Sequence, residues 1–178
     1  MKKILTVIGS ASLLAVACNN QSSSTSASDS TSTTSDTVSK TDSAAFVTAV
    51  DSLQPTANEL QDDSVFTDGS TPSSWANAGF NHPEAFKQFL KRFQSWVATD
   101  NKDSIASVIA YPLKNPKVKD KAAFIAGYDR YMSANIKAAV KQQNLRQIFR
   151  NGQGAMIGDG KIWFNETADG YRIIGINQ

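Results

Sequence analysis

The chain has 178 residues, of which 40% are hydrophobic, and a formal net charge of +2 at neutral pH. A charge so close to zero disfavours a nucleic-acid-binding protein, because such proteins neutralise many phosphates with Lys and Arg. Cys18 is the single cysteine, so no disulfide can form within the chain and no cysteine-based metal site is expected.

The N-terminus has the pattern of a cleaved signal segment. Lys2 and Lys3 precede an apolar stretch of fourteen residues, 4–17, which four small or polar residues dilute. A membrane-spanning helix needs about 20 apolar residues, so this stretch is too short to span a bilayer. Without Lys2 and Lys3, the remaining chain carries sixteen basic and sixteen acidic residues.

The end of this stretch, Leu14-Ala15-Val16-Ala17-Cys18, resembles a lipobox, the site at which bacterial lipoproteins are acylated on cysteine and cut. The resemblance implies that residues 1–17 are a signal peptide and that Cys18 carries acyl chains, palmitate among them. It also implies a lipid anchor in the bacterial cell envelope. Asn19 is not acidic, which implies the outer membrane under a sorting rule of some Gram-negative bacteria. The alternative is an ordinary secretory signal with an incidental cysteine.

Residues 18–44 form a tract that is poor in large apolar side chains. Between Ser22 and Ser43, sixteen of twenty-two residues are Ser or Thr. Such a composition cannot bury a core and predicts a disordered tether. Three triplets resemble the acceptor pattern of some bacterial O-glycosylation systems: 29–31, 36–38 and 42–44.

Residues 45–178 suffice for one domain with a core, and are too few for two. Apolar side chains at Phe46, Val47, Val50 and Leu53 have helical spacing, which Pro55 ends. A long loop to Pro83 follows. Its expected apolar anchors are Val65, Phe66, Trp75 and Phe80.

Four helices are predicted next, the first from Pro83 to about Thr99. One face of that helix is aromatic and aliphatic, and the other is expected to carry Lys87, Lys91 and Arg92. Pro83 and Glu84 suit a first helical turn. The other predicted helices cover 103–110, 120–132 with Asp120 as N-cap, and 133–143 with Ser133 as N-cap.

After Asn144 the apolar period changes from about 3.6 to 2, which predicts strands. The expected strands are 145–151, 155–158, 161–164 and 171–176. Asp159-Gly160 predicts a type I′ hairpin turn, in which both central residues have positive φ. Helices followed by strands predict an α+β fold, with N-terminal helices on one face of a curved antiparallel sheet of three to four strands.

This order of elements, with Tyr111-Pro112 leaving a helix and a Gly-rich hairpin carrying Trp163, resembles the NTF2-like α+β cone over about residues 84–177. The resemblance implies a pocket between helices and sheet. Some members are enzymes such as ketosteroid isomerases, which use a buried Asp base and a Tyr donor, and many members bind ligands without chemistry. Asp129 is the candidate base here, but helical spacing predicts that Tyr128 faces the core and Asp129 the solvent.

Three patterns disfavour a phosphate-binding loop, histidine-based catalysis and a calcium site. The run 151–158 has the spacing G-x-G-x-x-x-G, leads into a strand and lacks Gly-Lys-Ser/Thr, so a tight turn or bulge is predicted instead of a phosphate loop. His82, the single histidine, lies before a helix, where a loop or N-cap role is expected. Asp62-Asp63 and Asp68-Gly69-Ser70 lack the twelve-residue calcium pattern, and no metal or cofactor is predicted.

The sequence therefore predicts a lipid-anchored envelope protein with a non-catalytic ligand-binding or interaction domain. Tyr111, Tyr128 and Trp163 are the candidate ligand-binding residues, because each joins an expected inward position to a polar group. The expected partners are the membrane, through the lipid, and a small apolar ligand or an envelope polymer. Two alternatives stay open: a small pocket enzyme of isomerase or dehydratase type, and a structural envelope protein with a basic contact face. The basis for that face is the 84–150 region, with thirteen Lys or Arg against five Asp or Glu.

Overall fold

The computed structural model describes residues 53–178. The predicted signal peptide, Cys18, the tether, the domain boundary at 44/45 and residues 45–52 of the first predicted helix lie outside the described residues. The described part contains six helices and four strands. The helices are α1 (Ala57–Leu60), α2 (Pro83–Ala98), α3 (Lys102–Ser107), α4 (Lys121–Ala126), α5 (Tyr128–Tyr131) and α6 (Ala134–Gln142). The strands are β1 (Phe149–Asn151), β2 (Gly154–Ile157), β3 (Ile162–Thr167) and β4 (Gly170–Ile176).

Helix α1 is a single turn closed by a capping box. The side chain of Thr56 accepts a hydrogen bond from Glu59 N at 3.2 Å, and the Glu59 carboxylate accepts one from Thr56 N at 2.9 Å. This exchange satisfies two of the amides that a helix start leaves without partners.

Helix α2 begins at Pro83, as predicted, and buries the expected apolar side chains: Phe86, Phe89, Leu90, Phe93 and Val97. The prediction for Lys87 was wrong, because this lysine is buried, with 1% of its surface exposed. Its ammonium donates to the carbonyls of Glu59, Leu60 and Gln61 at 3.0, 2.9 and 2.8 Å. Lys87 therefore satisfies the carbonyls that the end of α1 leaves open.

The helices after α2 differ from the prediction in three places, the first being that the predicted helix 103–110 covers only Lys102–Ser107, as α3. Asp120 caps α4, as expected, by accepting from Ala123 N at 2.9 Å, but the predicted helix 120–132 is divided at Gly127. A Cβ at Gly127 would lie 2.6 Å from the ring of Tyr131, so a larger residue at this junction would have to displace that buried ring. Ser133 occupies the N-cap position of α6 without a capping bond from its side chain.

The four strands form an antiparallel sheet in the order β1-β2-β3-β4. The α+β prediction is confirmed. The turn between β2 and β3 has positive φ at Asp159 (52°) and Gly160 (83°), and Lys161 N donates to Gly158 O at 3.2 Å. These are the features expected of a type I′ turn. Within the glycine run 151–158, Gly152 and Gln153 form a tight turn between β1 and β2, as expected.

The two faces of the sheet have different neighbours. Arg150, Ala155, Phe164 and Ile173 lie opposite one another in the register and are buried, whereas the row Phe149, Met156, Trp163 and Gly175 belongs to the other face. Helix α2 packs on the buried face, and its rings of Phe86, Phe89 and Phe93 lie 5.7, 5.7 and 5.3 Å from the ring of Phe164. The space between helix and sheet is therefore filled by aromatic side chains.

The loop 61–82 is packed on this core through its aromatic residues. Phe80 is 2% exposed and Trp75 is half-buried, as predicted. Val65 is 54% exposed, so its prediction as an anchor was wrong. Within residues 53–178, every helix is too short or too polar to cross a membrane.

Candidate functional site

The predicted ligand-binding residues do not share one cavity in the structure. Tyr128 is 1% exposed, and its ring packs edge-on against Phe124. Its hydroxyl donates to Asp100 Oδ1 at 3.0 Å, and Lys102 lies over the ring, 4.7 Å from its centre. Burial, and then the bond to the ionised Asp100, raises the pKa of Tyr128. Tyr128 thus fills the core and sends only its hydroxyl to a surface carboxylate.

Tyr111 is partly buried against the core, and its buried hydroxyl has no hydrogen-bond partner among the described residues. Burial, followed by the charge of Asp120, raises the pKa of Tyr111 to about 12. Trp163 was expected on an inward-facing stretch, but it lies on the opposite face of the sheet. Its neighbours Ile162 and Phe164 are both buried, and side chains alternate along a strand.

Asp62 joins two buried cations. Its Oδ1 lies 2.9 Å from Lys87 Nζ, and its Oδ2 accepts from Trp75 Nε1 at 2.6 Å and from Arg150 Nη2 at 3.1 Å. Arg150 also stacks on Trp75, with its guanidinium 4.2 Å from the ring centre. Both oxygens are used within the protein, so Asp62 stabilises charges in the core.

Asp63 and Asp68 also accept hydrogen bonds from neighbouring groups of the protein. Asp63 Oδ1 lies 2.6 Å from Arg146 Nη2, and Asp63 Oδ2 accepts a hydrogen bond from Gln147 Nε2 at 2.9 Å. The bond from Gln147, followed by that from Arg146, holds the pKa of Asp63 below its usual range. Asp68 accepts from the amide and hydroxyl of Ser70. Within residues 53–178, no group of three or more His, Cys, Asp or Glu side chains is placed to hold a metal ion.

His82 occupies the N-cap position of α2 and pairs with Glu166 from β3. Its Nδ1 lies 2.8 Å from Glu166 Oε1, and the amides of Asn81 and His82 donate to Oε2. Burial alone would raise the pKa of Glu166, but the bonds from His82 and Asn81 outweigh it and leave the pKa lowered. The His82 side chain is 72% exposed and Glu166 13%. The pair fastens the start of α2 to the sheet.

A groove on the surface provides a better candidate for ligand binding. It consists of two depressions, of about 300 and 440 Å³, which share Gln143, Gln147 and Asp159. We call it the amide groove. The first depression is lined by Phe66, Thr67, Asp68, Phe149, Met156 and Gly160 as well as the shared residues. The second adds Asn135, Ala138, Ala139, Gln142 and Asn144.

The walls of the amide groove are fixed by hydrogen bonds. Gln143 Oε1 accepts from Gly158 N at 2.8 Å, and its Nε2 donates to Gln147 O at 2.9 Å. Gln147 in turn accepts from Thr67 Oγ1 at 3.1 Å and donates to Asp63. The groove is therefore held in one shape before any ligand arrives, which lowers the entropy lost on binding.

The lining of the groove includes an exposed aromatic ring. Phe149 is 40% exposed, and Trp163 packs edge-on against it with ring centres 6.3 Å apart. Gln143 and Gln147 use both ends of their amides within the protein, whereas Asn135, Gln142 and Asp159 make no side-chain hydrogen bond among the described residues. These three side chains can hydrogen-bond hydroxyl groups while the ring meets apolar C–H groups. This combination suits a ligand that is polar and uncharged along its length.

The sequence prediction missed this groove. Its lining comes from 66–68, 135–149 and 156–160, segments that no local pattern connects. The cluster of amide side chains between Gln142 and Gln147 is the signal that could have found it, since five of those six residues are polar. Comparisons with protein-family models, with curated proteins and with solved structures found no match to this chain.

Proposed function

We propose that this chain is a lipid-anchored protein of the bacterial cell envelope whose domain binds a polyhydroxylated envelope polymer in the amide groove. The lipobox resemblance at 14–18 supports acylation of Cys18, and the non-acidic Asn19 supports an outer-membrane location. The Ser/Thr tract then serves as a tether between the lipid and the domain.

One observation carries the binding role: an exposed Phe149 lies in a preformed groove walled by amides. The ring is not an isolated exposed side chain, because Phe149, Met156 and Trp163 lie side by side on the same face of the sheet. An apolar patch rimmed by polar residues is typical of an interaction site. Binding in the interior is less favoured, because aromatic rings of α2 fill the space between helices and sheet. The groove therefore favours the envelope polymer over a small apolar ligand.

The order of elements supports an NTF2-like arrangement as the finer description of the fold. Helix α2 leads into the helices that precede a four-stranded antiparallel sheet. In this proposal, Phe86, Phe89 and Phe93 occupy the space that ligand-binding members keep open. The isomerase-type alternative gains no support from its candidate base, because Asp129 is 81% exposed and lies 3.7 and 3.8 Å from Lys102 and Lys137.

The binding role is tested with Phe149→Ser in the full chain. We expect at least about tenfold weaker cosedimentation with purified peptidoglycan sacculi or weaker binding to isolated envelope polysaccharide, since a ring contact contributes about 1 to 3 kcal/mol. Val65→Ser is the matched control, because it also removes an exposed apolar side chain and lies outside the groove. Equal binding by the two variants would show that the groove is not the site.

The anchor is tested separately. Cys18→Ser should abolish metabolic labelling with palmitate and lipid-dependent fractionation with membranes, because the apolar segment is too short to span. Labelling or fractionation that persists in this variant would exclude acylation at Cys18.

A further inference from the structure

We propose that the hairpin of residues 112–119, here called the lysine hairpin, contacts the surface of a bilayer that contains anionic phospholipids. This contact is distinct from the amide groove and does not depend on the polymer proposed there. It gives the domain a second attachment, to the membrane itself.

The lysine hairpin is fixed to the domain by its backbone. Leu113 and Val118 pair through two hydrogen bonds of 2.8 and 3.0 Å. At the tip, Asn115 O accepts from Ile176 N at 2.9 Å, and the Asn115 side chain donates to Asn177. A hairpin held at its base and its tip presents its side chains in a constant arrangement.

Its charge is uncompensated. Lys114, Lys117 and Lys119 are exposed, and none lies within ion-pair distance of a carboxylate among residues 53–178. Seven of the thirteen basic residues between 84 and 150 do form such pairs. The uncompensated positive charge is therefore confined to local patches and does not cover a whole face. Asp120, the next acid along the chain, directs Oδ1 to Ala123 N at the start of α4.

The space between the lysines is apolar. A depression of about 560 Å³ is lined by the three lysines, by the exposed Pro112, and by Leu113 and Val118, which are 3% and 2% exposed. Its apolar surface therefore comes from Pro112 and the methylene stems of the lysines. A hydrophilic polyanion would contact the ammonium groups and leave this apolar surface unused. A phospholipid offers phosphate to the lysines and glycerol or acyl carbons to the apolar surface. The observations therefore favour a lipid surface over an acidic polymer.

The size of the effect follows from the charge. Each lysine near an anionic bilayer strengthens binding about fivefold, so three lysines together give about 100-fold. The attraction falls with ionic strength, because salt screens exposed charges.

The experiment compares full chains that all carry Cys18→Ser, so that no acyl anchor contributes. Cosedimentation is measured with vesicles of phosphatidylcholine, with and without phosphatidylglycerol. The test variant is Lys114→Gln, Lys117→Gln, Lys119→Gln. The control is Arg92→Gln, Lys141→Gln, Lys161→Gln, which removes the same charge from residues that also lack a carboxylate partner among 53–178. Lys2 and Lys3 are common to all chains.

We expect the control to bind anionic vesicles better than neutral ones, and salt to weaken this preference. In the test variant the preference should be at least tenfold smaller. The thermal midpoints of both variants should be unchanged. Equal preference in both variants, or no preference in the parent chain, would overturn the proposal. Dextran sulfate is included as a soluble polyanion. If the hairpin lysines are required for binding it while vesicles do not bind, the partner is an acidic polymer and the bilayer proposal is wrong.

Discussion

At the scale of single residues, the unusual feature is a pair of cations inside the core. Lys87 and Arg150 are 1% and 5% exposed, and Asp62 contacts both. Burial lowers the pKa of Arg150, and the charge of Asp62 opposes that shift. Arg150 Nε has no partner among the described residues, so this charge already lacks one hydrogen bond.

Asp62→Asn should therefore destabilise the protein strongly. The substitution keeps the shape but removes the charge that compensates Lys87 and Arg150, and an uncompensated buried charge costs about 3 to 5 kcal/mol. The free energy of unfolding is measured by urea denaturation of the full chain.

Asp129→Asn is the matched control. Asp129 also lies near two lysines, but its side chain is 81% exposed, and solvent screens the interaction. The expected loss is about 0.5 kcal/mol or less. Similar small losses in both variants would contradict the role assigned to Asp62.

Sequence reasoning could not have found this network. Helical spacing predicted the aromatic face of α2 correctly, but Lys87 lies at the edge of that face, and its burial depends on where α1 ends. The carbonyls that Lys87 meets belong to residues 59–61, more than twenty positions earlier, and no pattern in the sequence marks that contact.

At the scale of elements, the central hairpin was the most predictable part of the fold. Asp159-Gly160 determined the turn, and the turn determines the register that pairs Ile157 with Ile162 and Met156 with Trp163. Because side chains alternate along a strand, that register predicts that Trp163 lies on the opposite face of the sheet from Ile162 and Phe164. The polar ring of Trp163 suggests a pocket residue, but its place in the strand decides the face on which it lies.

Gly154→Ala tests the turn between β1 and β2. Gly154 has a φ of +133°, and a Cβ there would lie 2.3 Å from Asn165 Oδ1 and 2.4 Å from Phe164 O. One of these contacts is backbone, so the strand must shift, and we expect a loss of about 1 to 3 kcal/mol. Thermal unfolding followed by circular dichroism measures it.

Gly152→Ala, two positions earlier in the same turn, is the control. A Cβ at Gly152 has no atom within 4 Å and no positive φ to strain. Its midpoint should stay within the range of ordinary surface substitutions, about 0.5 kcal/mol. A loss as large as that of Gly154→Ala would mean that the turn is intolerant as a whole, and that the contact with β3 is not its cause.

At the scale of the whole molecule, the titrating groups predict stability that falls at both ends of the pH range. Asp63, Asp100 and Glu166 have lowered pKa values. They stabilise the fold above the unfolded carboxyl pKa of about 4, and this is lost as pH falls through their lowered folded values. Tyr111 acts oppositely: its stabilisation is present below pH 10.0 and is lost as pH rises toward its folded pKa of about 12.

The urea midpoint of the full chain should therefore be level near neutral pH and lower in acid and in strong alkali. Glu166→Gln should reduce the acid loss, and Tyr111→Phe should reduce the alkaline loss. If Glu166→Gln loses as much of its urea midpoint in acid as the parent chain, Glu166 does not cause the acid loss of stability.

The α+β class and the order of helices and strands followed from periodicity, which reports how each segment meets a core. The amide groove did not follow, because it joins segments about 80 residues apart in the chain, such as Thr67 and Gln147. Local patterns carry no information on which distant loops adjoin.

The ion pairs of Asp62 and Asp63 also constrain the order in which the chain can fold. Asp63 meets Arg146 across 83 residues, and Asp62 meets Arg150 across 88. Contacts so distant in sequence form late, because the entropy of closing the loop is lost before the contact stabilises anything. Asp62 can meet Trp75 and Lys87 as soon as α2 has been made, whereas its pair with Arg150 and the pair of Asp63 with Arg146 wait for the later residues. Lys87 therefore has its carboxylate before Arg150 arrives, and the buried charge network is completed only when β1 joins the fold.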